Sequence, residues 1–352
     1  MIMRKIMDKD KYVEVNGRKI RIRPSGRQEI DENGYYKRQP NLFHMQLGTE
    51  EHPIEKDRYI LFWSKGCAWS NRAAIVIHLL GLQDTIKMEV VDWTDHEENL
   101  GWEFVNSANH INPETGKQFL SEIYYATDPE YSLRTTVPVL VDYKTTTVVN
   151  NDFHCLTNLI EVQFQKFQKK NAPNLYPKHW RAEIDKKNRW LYENVNDAIY
   201  RACFAKSKEA YLEGYHTFFS ALETLNEELK TKRFLFGDYV TDSDIRLYTT
   251  LVRLDLNYSR HIGPCLGRLE DYKNLWEYMR DLYQIPEFEC NTFFTELACT
   301  NDKRFPFNPF YDIVIPQTDY KKIWKEPTKR EILSKNQKEK FIRGKEKYEI
   351  LY

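Results

Sequence analysis

One segment limits the possible folds more than any other. Tyr59-Ile60-Leu61-Phe62-Trp63 is a short apolar run of strand length. Ser64-Lys65-Gly66-Cys67 reads as a turn, and from Ala68 to Leu82 the pattern is helical, with Ile75, Ile77, His78, Leu79 and Leu80 ahead of Gly81. Gly81 suits a helix C-terminus, because only glycine enters the left-handed region without steric cost. Lys87–Trp93 is a second strand. Strand, helix and strand in succession imply a parallel pair joined by a crossover.

Residues 94–132 are too long for a simple loop and read as an insertion with some helix. Val137–Asn151 contains two β-rich runs around a turn near Lys144, a hairpin. Asp152 is placed to N-cap a helix through Leu156, Leu159, Ile160 and Phe164. The order β-α-β, insertion, β-β-α is that of a thioredoxin-like domain, expected over 56–168 after an N-terminal extension, 1–55. Pro173 and Pro177 mark a linker. An all-helical domain is expected over 178–300. There Tyr215, Phe218, Leu222, Leu225 and Leu229 step by threes and fours. Thr241 and Asp244 form a carboxylate version of the capping box. Residues 301–352 are read as a C-terminal extension with a solvated, lysine-rich tail. The fold class is therefore α/β plus all-α.

Composition excludes several functions. The 352 residues carry 52 Lys+Arg against 52 Asp+Glu, so no excess cationic charge favours nucleic acid. No apolar run reaches the roughly 20 residues that span a bilayer. The charged N-terminus lacks the apolar core of a secretory signal, so the cytoplasm is the expected compartment. The six cysteines show neither a CxxC pair nor zinc-finger spacing, and no metal site is expected.

The chemistry points to Cys67. It follows a strand and a glycine and opens a helix, whose first turn offers unpaired N–H groups and partial positive charge. Thiolates are stabilised there. Ser70 stands three residues on, so the CxxS arrangement forms a mixed disulfide with an outside thiol rather than an internal one. A lone cysteine is more often structural, and context alone leaves the two readings even. Val137-Pro138 at a strand start is either an ordinary edge proline or the cis proline of thioredoxin-like folds, beside which a thiol peptide pairs as an added strand.

Five stretches in order carry a resemblance. They are Cys67-Ala68-Trp69-Ser70 with Arg72; Arg134-Thr135-Thr136-Val137-Pro138-Val139-Leu140; Asn194-Val195-Asn196-Asp197-Ala198-Ile199-Tyr200-Arg201-Ala202-Cys203-Phe204-Ala205; Thr241-Asp242-Ser243-Asp244-Ile245-Arg246-Leu247; and Asp281-Leu282-Tyr283-Gln284-Ile285-Pro286. Over 35–316 the chain resembles the glutathionyl-hydroquinone reductases, the Xi class of glutathione transferases. The resemblance implies a thioredoxin-like domain, a helical glutathione-transferase domain, a homodimer, and glutathione as co-substrate. It implies Cys67 as nucleophile. It places Trp102, Arg134, Val137, Pro138, Asp152 and Phe153 at the glutathione site, and Tyr200 and Tyr258 at the aromatic substrate. With 23 Tyr and 8 Trp in the chain, any one of these aromatics is otherwise core or surface filling.

The chain departs from the family at the site. Ala68 and Ser70 replace the proline and alanine of Cys-Pro-Trp-Ala. Asp152-Phe153 stands for Glu-Ser, exchanging a hydroxyl for bulk. Thr292-Phe293-Phe294 lacks the phenol of a His-Tyr-Tyr run. Two functions follow: a thiol transferase or reductase acting on a small-molecule thiol conjugate, or a scaffold that binds a ligand or partner without glutathione chemistry.

Overall fold

A computed structural model describes residues 12–22, 29–94, 100–263, 265–298 and 319–344. Among them the chain divides into two compact units. The first is drawn from Met1–Glu29, Arg38–Ser64 and Thr85–Asp152; the second from Ile30–Lys37, Lys65–Asp84 and Phe153–Tyr352.

The first unit opens with a ribbon, β1 (Tyr12–Val15) and β2 (Arg18–Arg21). Asn16 and Gly17 turn it with φ of 53° and 75°, the left-handed pair that matches strand twist. The strand β3 (Tyr59–Trp63) is buried along its whole length, as its unbroken apolar run requires. The helix α1 (Ala68–Leu80) follows it in sequence and belongs to the second unit. Next come β4 (Ile86–Val90), β5 (Asp92–Thr94), β6 (Gly101–Glu103), α2 (Leu120–Thr127), β7 (Val139–Asp142) and β8 (Thr147–Asn150).

The central sheet runs β4-β3-β7-β8. β3 and β4 are parallel, with Leu61 opposite Met88; β3–β7 and β7–β8 are antiparallel. This is the thioredoxin-like arrangement read from the sequence. The expected second strand breaks at Val91: its backbone N–H donates to Trp63, while β5 turns away to pair with β6.

The second unit is helical. α1 ends at Gly81 with φ 67°, its Schellman closure made by Gly81 N–H to His78 and Leu82 N–H to Ile77. After α3 (Leu156–Gln163) come α4 (Arg181–Leu191), a π-helical turn (Tyr192–Asn196), α5 (Ala198–Phe204), α6 (Lys208–Glu228) and α7 (Asp242–Leu251). A second π-turn (Leu254–Tyr258) leads into α8 (Ser259–Ile262), α9 (Lys273–Tyr283), α10 (Pro286–Glu289), α11 (Phe294–Ala298) and α12 (Tyr320–Trp324).

The Thr241/Asp244 capping box forms as expected. Asp244 accepts from Thr241 N–H at 2.8 Å and Thr241 Oγ1 at 3.0 Å, and also from Leu235 N–H and Tyr278 Oη, each at 2.9 Å. Burial pushes the Asp244 carboxyl up to about 6 against those four donors. Beside it, the buried Asp242 carboxylate gathers Arg246 Nε (2.6 Å), Asn188 Nδ2 (2.9 Å), Asn158 Nδ2 (3.1 Å) and Thr157 Oγ1 (2.8 Å), binding α3, α4 and α7 together.

Two expectations are corrected. Asp152 does not cap α3: its Oδ1 accepts from Asn41 Nδ2 at 2.9 Å and its Oδ2 lies 3.4 Å from His44 Nδ1. The N-cap of α3 is Cys155. The lysine-rich tail is only partly solvated over 319–344: most of its lysines are exposed, but a few side chains anchor it. Arg330 is buried and donates to the carbonyls of Leu229 and Arg233, Lys340 Nζ meets Asp281 Oδ1 at 2.8 Å, and Trp324 and Phe341 are buried. Cys299 lies outside the described residues.

Candidate active site

Cys67 is the N-cap of α1, with extended backbone (φ −80°, ψ 118°) that leaves the following N–H groups uncapped by its side chain. Its carbonyl accepts from Asn71 N–H at 3.0 Å, closing the first turn. The residue is half-buried. Ala68 in place of proline leaves this turn helical.

The turn before Cys67 is held by a residue that sequence reasoning passed over. Arg253, just past the C-terminus of α7, is buried. Its Nε donates to the Gly66 carbonyl and its Nη2 to the Lys65 carbonyl, each at 3.1 Å, while Nη1 donates to Thr249 at 2.5 Å. Burial lowers Arg253 from the ordinary arginine value; Tyr258, Tyr200 and Cys67 all oppose that shift.

Tyr258 is buried and Tyr200 half-buried; the Tyr258 hydroxyl donates to the Tyr200 hydroxyl at 3.2 Å. Burial pushes Tyr258 well above the ordinary phenol value, with Tyr200 adding to the shift. Trp69, two residues past Cys67, packs against Tyr200 at 5.7 Å, Tyr192 at 6.0 Å and Phe153 at 4.3 Å between ring centroids. Arg72 stacks over the same indole at 4.4 Å. Burial, then Arg246, pushes Arg72 down to about 9. Phe153 thus closes an aromatic cluster, where a serine would have left a gap.

The remaining predicted residues lie in the first unit. Trp102, on β6, meets Trp93 edge-on at 5.3 Å, and its Nε1 is buried without a hydrogen-bond partner among the described residues. The Val137–Pro138 peptide is cis and both residues are buried. Arg134 is engaged by Glu29, whose Oε2 lies 3.2 Å from Nη2. Gln39 brackets the Arg134 backbone, accepting from its N–H at 2.9 Å and donating to its carbonyl at 2.7 Å. Burial raises the Glu29 carboxyl, and Arg134 more than offsets it, so the net shift is downward. Glu29 and Gln39 carried no motif that would have singled them out. The structure therefore brings Cys67, Tyr200, Tyr258 and Phe153 into one unit, and Trp102, Arg134, Val137, Pro138 and Asp152 into the other.

A recess lined by Leu80, Glu161, Gln168, Asn174 and Tyr176 contains none of these residues. Among the described residues no group of three or more His, Cys, Asp or Glu side chains is placed to hold a metal, and no helix is long and apolar enough to cross a membrane.

Comparison with known proteins places this geometry in a lineage. Residues 208–281 match the C-terminal domain of glutathione S-transferases. The chain is 39% identical over 241 residues to the glutathionyl-hydroquinone reductase YqjG of Escherichia coli (strain K12), covering 68% of this chain and 73% of that protein. It superposes on the Xi glutathione S-transferase of Phanerochaete chrysosporium with a TM-score of 0.74 at 32% identity, covering 80% of this chain and 95% of the other. The glutathione-bound structure of YqjG gives a TM-score of 0.67 at 36% identity, covering 72% and 86%. With its thioredoxin-like sheet and its helical second unit, the chain belongs to the glutathionyl-hydroquinone reductases, the Xi class of glutathione transferases, a family of glutathione-dependent enzymes.

Proposed function

We propose that the protein reduces glutathionyl-hydroquinones, or closely related glutathione conjugates, through a mixed disulfide on Cys67, with glutathione as co-substrate. The observation that carries this reading is the placement of Cys67: half-buried, at the N-terminus of a 13-residue helix, in a turn anchored by a buried cation. The thiolate attacks the sulfur of the conjugate. An S–S bond forms, the aryl C–S bond breaks, and the ring carbon takes a proton as the hydroquinone leaves. A second glutathione attacks the mixed disulfide, returns the Cys67 thiol and leaves as glutathione disulfide. The two electrons gained by the ring are those lost by the two glutathione thiols.

Tyr258 stays protonated at neutral pH and donates through Tyr200, which suits the pair to hydrogen-bond quinol oxygens and move the proton. Trp102, Arg134, Val137, Pro138 and Asp152 bind glutathione in this reading. Trp102 Nε1, without a partner among the described residues, is one donor for it. The Glu29 pair presents the Arg134 guanidinium in a fixed pose for a carboxylate. The chemistry suits the cytoplasm, where thiols are kept reduced; a homodimer is what the family resemblance implies.

The second reading, a scaffold without glutathione chemistry, draws on Phe153, whose ring stands where the family has a hydroxyl. Turnover of a glutathionyl-hydroquinone by the wild type, absent in Cys67→Ser, separates the two: no turnover in either favours the scaffold.

A further inference from the structure

We infer that Arg253 is a positioning residue for this reaction, its side chain setting the turn that carries the Cys67 thiol. The inference rests on the reading of Cys67 as nucleophile.

The bonds of the guanidinium support it. The guanidinium fork spans the carbonyls of Lys65 and Gly66, the two residues immediately before Cys67. A third arm donates to Thr249 on α7, and Nη1 approaches Asn71 Oδ1 at 3.5 Å, in the first turn of the same helix that Cys67 opens. Asn71 is itself pinned, its Nδ2 donating to the Asn291 carbonyl at 2.8 Å. On the other side, the Arg253 carbonyl accepts from both Asn257 N–H (2.9 Å) and Tyr258 N–H (3.0 Å). The second bond is the i→i+5 closure of the π-turn Leu254–Tyr258, a local widening that recurs at functional sites. Those two bonds belong to the main chain and persist whatever side chain stands at 253; the guanidinium acts on the Cys67 turn.

The shape of the group matters. A planar fork satisfies two carbonyls at once, which lysine cannot do. A backbone carbonyl turned toward Arg253 is also one not turned toward the sulfur.

The test compares Arg253→Met and Arg253→Lys with the wild type, each checked for native circular dichroism. Arg253→Met removes the two guanidinium hydrogen bonds to the turn before Cys67. Its kcat for a glutathionyl-hydroquinone is expected to fall roughly 10²-fold, with KM changed much less. Arg253→Lys restores little of kcat, because lysine lacks the fork. Wild-type kcat in folded Arg253→Met would overturn the inference. Should that variant not fold, wild-type kcat in Arg253→Lys would overturn it equally. Failure of the Cys67 reading is separate: it shows as undiminished turnover in Cys67→Ser, whatever Arg253 does.

Discussion

The hydroxyl of Tyr258 donates to the hydroxyl of Tyr200 at 3.2 Å, the donor buried and the acceptor half-exposed. A proton leaving Tyr200 toward a substrate is therefore replaceable from within. Tyr258→Phe removes that relay while keeping the ring. Its kcat for a glutathionyl-hydroquinone should drop roughly 10²-fold, with KM nearly constant. Steady-state kinetics reads this directly, and wild-type kcat would remove the phenol pair from the chemistry.

Phe153 trades recognition for packing. Its ring lies 4.3 Å from Trp69 and 4.4 Å from His154 between centroids. Phe153→Ser opens that cluster and should cost roughly 3 kcal/mol by urea unfolding. The same substitution restores a hydroxyl at the family's position, so KM for glutathione should fall. A stability loss with unchanged or higher KM would show that the position contributes packing alone.

Arg134 and Glu29 give a binding prediction and a pH prediction. Arg134→Gln should raise KM for glutathione roughly tenfold, about 1.4 kcal/mol, with kcat little changed. The Glu29 carboxyl is held below its ordinary value of 4.5, net of burial that pushes the other way. A depressed folded value means the pair's stabilisation is complete above 4.5 and is lost as pH falls through the lowered folded value. The urea midpoint of the wild type should therefore decline more steeply than that of Glu29→Gln below pH 4.5. Parallel curves would contradict the assignment.

Asp244 tests the capping box. Alanine there leaves Leu235 N–H, Thr241 N–H and Tyr278 Oη without their acceptor in a buried region. The expected cost is at least about 3 kcal/mol, summed over three orphaned donors. Thermal or urea unfolding measures it, and a loss under 1 kcal/mol would mean that water replaces the carboxylate.

Local patterns in the sequence were legible because local physics decides them. The apolar run of β3, the Gly81 stop, the β7–β8 hairpin and the Thr241–Asp244 box each follow from a few neighbouring residues. Asp152 was misread because capping depends on competition: Asn41 and His44, far off in sequence, claim its carboxylate. Arg330 looks like one more charge in a basic tail until three-dimensional structure supplies carbonyls for it to bridge. Arg253 is the same case at the site. In Leu251-Val252-Arg253-Leu254 nothing distinguishes a solvated arginine from one buried under the turn before Cys67.

The central claim is that the Cys67 sulfur exchanges with glutathione. Intact-protein and peptide mass spectrometry after incubation with glutathione disulfide tests it most directly. The account predicts one glutathionyl group on Cys67, removed by added glutathione and absent in Cys67→Ser. An unmodified Cys67 in folded protein, or equal adduct in Cys67→Ser, would contradict it.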